Sequence, residues 1–534
     1  MVFNFPQKGS AVLAKWNAER AAQRANAQAT TGNGPAFQHR PLRRGFDAAI
    51  VSRLTSFWNN SNTGINQDLE STLPSLRGRC RTLAQNNEYA RKFLQMVGTH
   101  IVGPDGFRLN VNGVNGYGKD AQPDAVGNSV IERHFADWCL PKNCDVTGKL
   151  AFPAMCRLIV QTVARDGEAL VRRIRDSSSK YGYQLQVLDI DRLDIRAKGK
   201  YSNGNVVRMG VEYDAYGRVV AYHLHGRNPS DYGEMQESVT KDRVLANEIL
   251  HLYVTERAEQ LRGVPWMHAA GLSLYQLGAF EEAAVVAARV GASKMGFFTS
   301  PDGTGSALAE NQDATGGLYQ DAEPGKFDVL PEGYDFKSFD PDYPHGNYEP
   351  FVKAALRRIA SGLGVAYNTM SSDLEGVNFS SIRSAVLEER DNWTVLQNWF
   401  IDSFLIPVYQ DWLFMALTRQ AIKFTASSSM PPDRYEKFSM PRWQGRRWKW
   451  VDPVKDAEAN LMLRRAGLKS STTIGDEQGL EFEDELAKIA IENAAAAAVN
   501  VELDFGAAVK PAELSPPPDP GGEPATPPKK AAAA

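Results

Sequence analysis

The chain has 534 residues, of which 43% are hydrophobic and 23% are charged, and its formal net charge is -3. This composition is typical of a soluble globular protein that is long enough for several domains and a large core. The balanced charge argues against tight, sequence-independent DNA binding, which needs a surplus of Lys and Arg, but it is compatible with a surface past which DNA slides.

The sequence contains no clear signal peptide, membrane span or cysteine motif. The N-terminal MVFNFPQKGSAVLAKW lacks the apolar core of a signal peptide. The nearest membrane-span candidate, AAVVAARVGA at 283–292, is interrupted by Glu281, Glu282 and Arg289. The four cysteines form no Cys-x-x-Cys pair, which indicates reduced thiols and neither zinc nor a disulfide framework. We therefore expect no standard secretion signal and no membrane-spanning segment.

The first half of the chain alternates helical and strand patterns. Helices are predicted at 69–102, 121–138 and 152–165. Strands are predicted for EALVRRIR, YQLQVLDI and ILHLY, and VVRMGVEYDAYGRVVAYHLHG is predicted to form one hairpin that turns at Asp214 to Gly217. This order indicates a mixed α+β region from residue 46 to about 260.

Long helices dominate the second half. Residues 265–293 predict one helix crowded with Ala and Gly, which suits either a buried helix or a helix packed against copies of itself. Between 294 and 347, acidic residues outnumber basic ones ten to three, and the turn-rich pattern predicts a small β insert. A helix at 348–363 and a long helix at 380–417, kinked at Pro407, follow. Pro453 then begins a short helix-turn-helix that ends near Asn500.

The stretch GLGVAYNTMSSDLEGVNFSSIRSA opens like a nucleotide-binding loop, with Gly362-x-Gly364. A dinucleotide fingerprint would need a third glycine at Tyr367 and a preceding strand, but here a helix precedes it. No P-loop consensus occurs in the chain. We therefore predict no nucleotide and no cofactor. The two glycines end one helix, and Asn378 or Ser380 caps the next.

Two polar clusters raise the question of a metal. Asp189, Asp191 and Asp194 could converge at a strand end as a nuclease site, but local pairing with arginine is the favoured interpretation. His223 and His225 share a strand face, yet no third zinc ligand is evident, so ordinary strand histidines are favoured. We predict no metal site.

A tryptophan-arginine segment is the best nucleic-acid candidate. Aromatic and basic side chains alternate in it and could stack bases and hold phosphates. A core or subunit interface, with arginines paired to acids, is the favoured alternative. The segment's residues are Arg442, Trp443, Arg446, Arg447, Trp448, Lys449 and Trp450.

The order of these elements resembles the portal proteins of tailed bacteriophages, specifically the lambda-type family. Four local motifs carry the resemblance, and together they cover most of residues 47–500. They are LRGRCRTLAQNNEYARKFLQMVGTHIVG, EILHLYVTERAEQLRGVPWMHAA, FVKAALRRIASGLGVAYNTMSSD followed by NFSSIRSA, and DPVKDAEANLMLRRAGLKSSTTI. The two termini and the details of the acidic insert are not well covered.

The resemblance implies an α+β portal fold with an α/β wing, a long-helix stem, a small β-rich clip and a C-terminal helical crown. Its parts fall on this chain as a flexible arm at 1–45, the wing at 46–264, stem helices at 265–293 and 348–363, the clip at 294–347, a tunnel loop at 364–380, a long kinked helix and return to the wing at 381–469, the crown at 470–500 and a disordered tail at 501–534.

The resemblance also implies a function. Copies would form a ring, usually a dodecamer, at one capsid vertex of the virion after synthesis in the host cytoplasm. Double-stranded DNA would pass through non-specifically during packaging and ejection, without catalysis. The implied protein partners are the terminase large subunit and head-tail connector at the clip, and the major capsid and scaffolding proteins; no membrane is implied.

The resemblance finally implies which residues line the channel. The loop should be mobile and weakly interacting, since its acids would repel phosphates. Its candidates are Thr369, Ser371, Ser372, Asp373, Glu375 and Asn378, and the stem candidates are Glu281, Glu282, Arg289, Lys353, Arg357 and Arg358. Two alternatives remain open: a DNA-processing enzyme that uses the aspartate cluster, and a nucleic-acid adaptor that uses residues 442–450.

Overall fold

A computed structural model describes the chain over residues 18–19, 21, 63–116, 122–176, 178–201, 203–229, 241–292, 296–299, 311–312, 318–319, 335–338, 347–375, 379–425, 427–448 and 453–498. The chain divides into two units, residues 1–63 and 64–534. All elements named below belong to the second unit. Apart from 18–19 and 21, the expected arm and tail lie outside the described residues.

Helices occupy much of the chain before the first large sheet. They are α1 (Ile65–Asn86), α2 (Glu88–Val97), α3 (Ala125–Trp138), α4 (Pro141–Cys144) and α5 (Phe152–Asp166). The single helix predicted at 69–102 is wrong. Asn87 leaves the helical conformation, and its side chain accepts a hydrogen bond from the Ala90 amide at 2.9 Å, which starts a second helix. A π-helical turn, Gly98–Val102, follows and ends at Gly103.

Two antiparallel sheets follow these helices. The strands of the first half are β1 (Arg108–Asn110), β2 (Val114–Asn115), β3 (Gln122–Pro123), β4 (Ala169–Arg175), β5 (Tyr183–Leu188), β6 (Gly199–Lys200), β7 (Val206–Arg208), β8 (Val211–Tyr213), β9 (Val219–His225), β10 (Lys241–Leu245) and β11 (Ile249–Leu252). One sheet has the order β11-β4-β5, and the other has the order β10-β9-β8-β7-β6.

The predicted hairpin around 206–225 has its expected turn at 214–217. An earlier turn, which was not predicted, divides its first strand into two. A tight turn at Met209 and Gly210, both with positive φ, separates β7 from β8 before the expected turn at 214–217 leads into β9. The segment is therefore a three-stranded meander. An alternating apolar pattern continues across the extra turn, so the sequence pattern alone hid it.

The second half is mainly helical. Its elements are α6 (Gly271–Ala292), β12 (Gly296–Thr299), β13 (Asn311–Gln312), β14 (Leu318–Tyr319), β15 (Asp335–Ser338), α7 (Tyr348–Leu363), α8 (Tyr367–Ser371), α9 (Phe379–Phe400), α10 (Ile406–Thr418), β16 (Lys423–Thr425), β17 (Ser428–Ser429), α11 (Tyr435–Phe438), β18 (Arg442–Gln444), α12 (Pro453–Arg465), α13 (Ser471–Gln478) and α14 (Phe482–Ala498). Strands β12 and β15 pair, as do β13 and β14, in agreement with the expected β character of 294–347.

Four predictions in this half need correction. The helix expected from residue 265 begins at Gly271, because 265–270 form successive turns. The loop expected at 364–380 contains the helix α8. The expected kink takes the form of a π-helical turn, Ile401–Leu405, directly before Pro407. The final helix-turn-helix is three helices, α12 to α14.

A large aromatic core holds the first sheet against α3, α5, α9 and α10. Trp138 and Trp412 are fully buried, and both contact Phe135, whose ring also meets Tyr409. The Trp138 indole donates to the Tyr183 carbonyl at 2.9 Å, so its buried N–H is satisfied. This core explains why the kinked helix, far away in the sequence, packs onto the first half of the chain.

The membrane-span candidate named from the sequence was misplaced. Among the described residues, the helix Ser384–Thr418 is the one with the length and apolar composition to cross a bilayer, and 50% of that window is buried inside the protein. A core helix has the same composition, so this feature is weak evidence for a membrane span.

Candidate functional site

A buried charge cluster joins the two sheets to the segment that precedes α6. The Glu168 carboxylate accepts from Arg77 Nη2 at 2.6 Å, Arg262 Nε at 2.9 Å and His251 Nε2 at 2.7 Å. Arg262 is itself completely buried and also donates to the Met209 carbonyl. Arg77 comes from α1, Glu168 precedes β4 and His251 lies in β11, so this single carboxylate ties together distant parts of the chain.

The pKa values within this cluster follow from its burial and charges. Burial alone would raise the pKa of Glu168, but Arg262, His251 and Arg77 hold it well below its ordinary value. Burial is also the largest influence on His251, and it lowers the pKa of the imidazole. Glu168 is therefore ionised and His251 is a neutral donor, an arrangement that satisfies the carboxylate without adding a third buried positive charge.

The RGVPW element has a backbone reason for its glycine. A Cβ built on Gly263 would lie 2.0 Å from the Gly167 carbonyl oxygen, and Gly167 has a φ of +92°. The Gly263 amide donates to Glu168 at 3.1 Å, and the Trp266 amide donates to the Ala164 carbonyl at 3.0 Å. The chain thus passes against the end of α5 in a close backbone contact before the turns that lead into α6.

The aspartate cluster does not converge on a metal position. Arg81 donates to Asp191 at 2.5 Å, and Arg77 donates to the other Asp191 oxygen at 3.1 Å. Asp189 lies 3.4 Å from Arg81, whereas Asp194 pairs with Lys241 at 2.8 Å on the other sheet. No group of three metal-ligating side chains occurs among the described residues. Arginine and lysine side chains form ion pairs with the carboxylates that a nuclease would need to bind a metal ion.

His223 and His225 likewise each face a carboxylate. Their Nε2 atoms lie 3.4 Å from Glu212 and 3.6 Å from Asp194, respectively. Glu212 is also held by Arg243 at 2.7 Å. The two histidines therefore belong to separate ion-pair groups along β9 and share no ligand position in the described structure.

The helix α6 has two apolar faces. One is buried against the chain's own residues and consists of Leu274, Leu277 and Ala284. The opposite stripe is exposed and consists of Leu272, Tyr275, Ala279, Ala283 and Val286. These positions repeat every three or four residues, so they form one continuous line along the helix. An apolar line that the chain's own core leaves uncovered is typical of a contact surface.

Of the charged residues predicted on α6, Glu282 and Arg289 lie beside this line, whereas Glu281 lies on the face that packs against the chain's own core. Glu281 is half-buried and accepts from the Tyr89 hydroxyl at 3.4 Å, and burial raises the pKa of Glu281. Glu282 and Arg289 are exposed. The stem role predicted for Glu281, Glu282 and Arg289 stays a prediction.

The loop after α7 is anchored by Lys353. Its ammonium lies 2.6 Å from Glu349, 3.1 Å from Glu375 and 3.6 Å from Asp373. Hydrogen bonds to Glu349 and Glu375 raise the pKa of Lys353 above its ordinary value. The prediction of a weakly interacting loop is therefore wrong for residues 364–375, because Asp373 and Glu375 both pair with Lys353 of the preceding helix α7.

Further contacts hold the same segment. The Tyr367 hydroxyl donates to Asp373 at 2.7 Å, and Arg357 lies over the Tyr367 ring at 5.4 Å from its centroid. Thr369 donates to Glu389 of α9 at 2.8 Å. Ser371 receives a hydrogen bond from the Asp373 amide at 3.2 Å. Ser372 has a φ of +59°, and Arg358 is exposed, whereas Asn378 lies outside the described residues.

Lys353→Met is expected to release this loop. Three carboxylates lose their shared cation, whereas the contacts of Asp373 with Tyr367 and Ser371 remain. We expect chymotrypsin to cleave after the exposed Leu374 about fivefold faster, measured by mass spectrometry of the fragments. Arg358→Met, an exposed site on the same helix, should leave the rate unchanged. Equal rates in all three proteins would contradict an anchoring role for Lys353.

The tryptophan-arginine segment folds onto the chain's own core. Trp443 is buried, pairs with Leu109 in the β1-β18 ladder and contacts Phe135 at 5.7 Å. Arg442 pairs with Asp476 at 2.7 Å, and Arg446 donates to the Thr99 carbonyl. Arg447 is exposed, and Lys449 and Trp450 lie outside the described residues. The buried ring of Trp443 has no face left for a base.

Trp448 belongs to a stacked group that includes a neutral histidine. Its indole N–H donates to His100 Nδ1 at 3.2 Å, and His100 stacks on Trp393 at 5.3 Å between ring centroids. Burial, together with the charges of Arg446 and Arg390, lowers the pKa of His100 to about 4. His100 can therefore accept this hydrogen bond at neutral pH, and the group joins the π-helical turn after α2 to α9.

Sequence reasoning missed the Glu168 cluster and the Lys353 contacts. Glu168 directly precedes the apolar residues Ala169 to Val171, and Arg262 is the first residue of the RGVPW element. A single charged residue next to an apolar run was the sequence signal that could have indicated a buried charge. The pairing itself spans 94 positions between these two residues, and no local pattern reports a contact at that separation.

Comparisons with known proteins point in one direction. The family model described as phage portal protein, lambda family, matches residues 51–397. A probable portal protein of Halomonas phage phiHAP-1 is 34% identical over 435 residues, which is 80% of this chain and 81% of that protein. Portal protein B of Escherichia phage lambda is 21% identical over 455 residues, which is 80% of this chain and 85% of that protein.

Two solved structures with similar chains come from gene transfer agent particles. The neck of an empty particle matches with a TM-score of 0.40 and 14% identity, covering 77% of this chain and 94% of that chain. The neck of a native particle, computed with twelvefold symmetry, matches with a TM-score of 0.40 and 13% identity, over 77% of this chain and 94% of that chain.

Proposed function

The chain belongs to the lambda family of phage portal proteins, and from this premise we propose that its copies close into a ring, a dodecamer, at one capsid vertex. Portal proteins are structural components of the virion. The centre of the ring would be the channel through which double-stranded DNA is packaged and later ejected. Synthesis in the host cytoplasm would precede assembly with the major capsid and scaffolding proteins.

The exposed apolar line on α6 is the observation that carries this proposal. Leu272, Tyr275 and Val286 are each more than half exposed although they alternate with small residues that permit close helix approach. The line lies opposite the face that α6 uses for its own chain. Such a helix can contact a neighbouring copy through one face while its other face stays in its own subunit, as a closed ring of heterologous contacts requires.

The segment at 364–375 would meet DNA in passing. Lys353 offsets only part of the charge of Glu349, Asp373 and Glu375, so this group of four side chains keeps a net negative charge. A negative lining repels phosphate and does not hold the duplex. We propose that residues 364–380 form the channel loop and that the anchoring contacts with α7 keep its acids close to the channel wall.

The acidic region 294–347 would be the docking surface for other packaging proteins. Its excess of acids suits a partner with a basic face, and we propose the terminase large subunit during packaging and a head-tail connector afterwards. The regions 46–264 and 470–500 would be the wing and crown around the helices α6 and α7.

Imaging of the purified protein tests the ring. We expect electron microscopy to show a closed ring with a central opening wide enough for a DNA duplex, and sedimentation velocity to give one large species. A stable monomer at micromolar concentration, with no larger species on electron microscopy grids, would refute the proposed function.

A further inference from the structure

The helix α7 has an exposed face that its own chain leaves uncovered. Its side chains recur every three or four residues and form one line along the helix, which consists of Phe351, Ala354, Arg358 and Ser361. The ring of Phe351 is 54% exposed. Arg357 adjoins the line and lies over the Tyr367 ring, whereas Arg358 forms no ion pair with a described residue. This face is therefore apolar at its start and basic further along.

The α7 face adjoins the exposed apolar line of α6. The rings of Phe351 and Phe280 lie 4.9 Å apart between their centroids, and Phe280 directly follows Ala279 of that line. Towards the other end of α7, a Cβ built on Gly362 would lie 3.6 Å from the Cβ of Ala270. The two helices thus run side by side in opposite directions, so a neighbour that covers the line of α6 also reaches the α7 face.

The helix α9 has an exposed face of the opposite charge. Leu387, Asp391 and Val395 follow one another at intervals of four residues, and Glu388 lies beside them on the same side of the helix. Val395 is 67% exposed and Leu387 is 47% exposed. Neither Glu388 nor Asp391 forms an ion pair or a hydrogen bond within the part of the chain that the structure describes. The α9 face therefore combines two carboxylates with two uncovered apolar side chains.

We propose that the α7 face of one copy packs against the α9 face of the neighbouring copy in the ring. Two α7 faces would bring arginines together, and two α9 faces would bring carboxylates together. A contact of α7 with α9 instead pairs opposite charges around a shared apolar surface. It uses two different patches, as a closed ring of heterologous contacts requires. This inference rests on the proposed ring, and it identifies which surface of the neighbour lies beside α6.

A charge exchange tests this contact. Arg357→Glu with Arg358→Glu places acids opposite acids, and Glu388→Lys with Asp391→Lys places bases opposite bases. We expect each double variant to lower the ring fraction about fivefold at a concentration at which the unaltered chain is half assembled. Combining all four substitutions restores opposite charges, so the ring fraction should recover. Native mass spectrometry measures these fractions.

Lys142→Glu with Lys149→Glu is the matched control. Both lysines are exposed and lie outside the two faces, and this variant changes the net charge by the same amount as the double arginine variant. We expect it to assemble like the unaltered chain. A loss of rings as large as that in the arginine variant would show that net charge, and not the α7-α9 contact, controls assembly.

The remaining outcomes separate this inference from the proposed function. Unchanged ring fractions in both double variants, with the unaltered chain forming rings, refute the α7-α9 contact and leave the proposed function standing. Failure of the combined variant to recover also refutes the contact. Rings of the arginine variant that stay intact but no longer retain a DNA duplex at low salt would assign the α7 face to DNA. No ring in the unaltered chain removes both proposals.

Discussion

Replacing Glu168 with Gln is expected to lower the free energy of unfolding by about 3–5 kcal/mol. The substitution removes the one carboxylate that Arg262 contacts among the described residues, and Arg262 is completely buried. Arg77 loses its 2.6 Å partner and keeps Asp191. The amide of Gln preserves the volume, so the loss reports the uncompensated charge. Urea unfolding followed by circular dichroism measures it.

Glu248→Gln is the matched control for this prediction. Glu248 pairs with Arg172 at 3.2 Å, and both side chains are about one-third exposed. A solvent-exposed pair of this kind contributes about 0–1 kcal/mol, so we expect a change of that size. A loss below about 1 kcal/mol for Glu168→Gln would contradict the proposed importance of the buried cluster.

The pH dependence of stability has a definite sign for Glu168. Its folded pKa is held below the ordinary value of 4.5 by Arg262, His251 and Arg77, against the opposing effect of burial. The stabilisation is therefore complete above about pH 4.5 and is lost as the pH falls towards the folded pKa. In Glu168→Gln this part of the acid dependence should disappear.

Tyr275→Glu combined with Val286→Glu is expected to leave the chain folded and to abolish the ring. Both residues are exposed in the single chain, at 68% and 51%, so the substitutions cost little before assembly. In a ring, each neighbour contact would bury two unpaired carboxylates, at several kcal/mol for each contact. Sedimentation velocity should show a monomer with an unchanged circular dichroism spectrum.

Val126→Glu is the control for the substitutions on α6. Val126 lies in α3 and is 66% exposed, close to the exposure of Tyr275. We expect this variant to assemble like the unaltered chain. Rings that remain intact in the Tyr275→Glu, Val286→Glu variant would show that the apolar line of α6 faces solvent in the assembly, and the main support for the ring contact would be lost.

Elements with a strong local pattern were predictable from the sequence. The helix predicted at 348–363 has the bounds of α7, and the helix predicted at 152–165 differs from α5 by one residue. Their apolar residues recur at helical spacing, and glycine at positive φ follows each at Gly364 and Gly167. The sequence thus contained both the periodicity and the stop signal.

The errors arose where distant residues decide the conformation. The Ala- and Gly-rich segment 265–293 was predicted as one helix from its first residue, but the contact of the Trp266 amide with Ala164 keeps 265–270 in turns. The polar composition of 364–375 suggested mobility, yet Lys353 and Tyr367 pair with its acid Asp373. Neither contact is visible in a local window, since each depends on how the helices pack.

The close backbone contact between Gly167 and Gly263 has a mechanical consequence. Two peptide groups meet there without side chains between them, and the Glu168 carboxylate binds the Gly263 amide and the Arg262 side chain on either side of that peptide bond. We therefore expect this junction to be stiff. A movement of the segment that leads into α6 should displace α5 and β4 together with it.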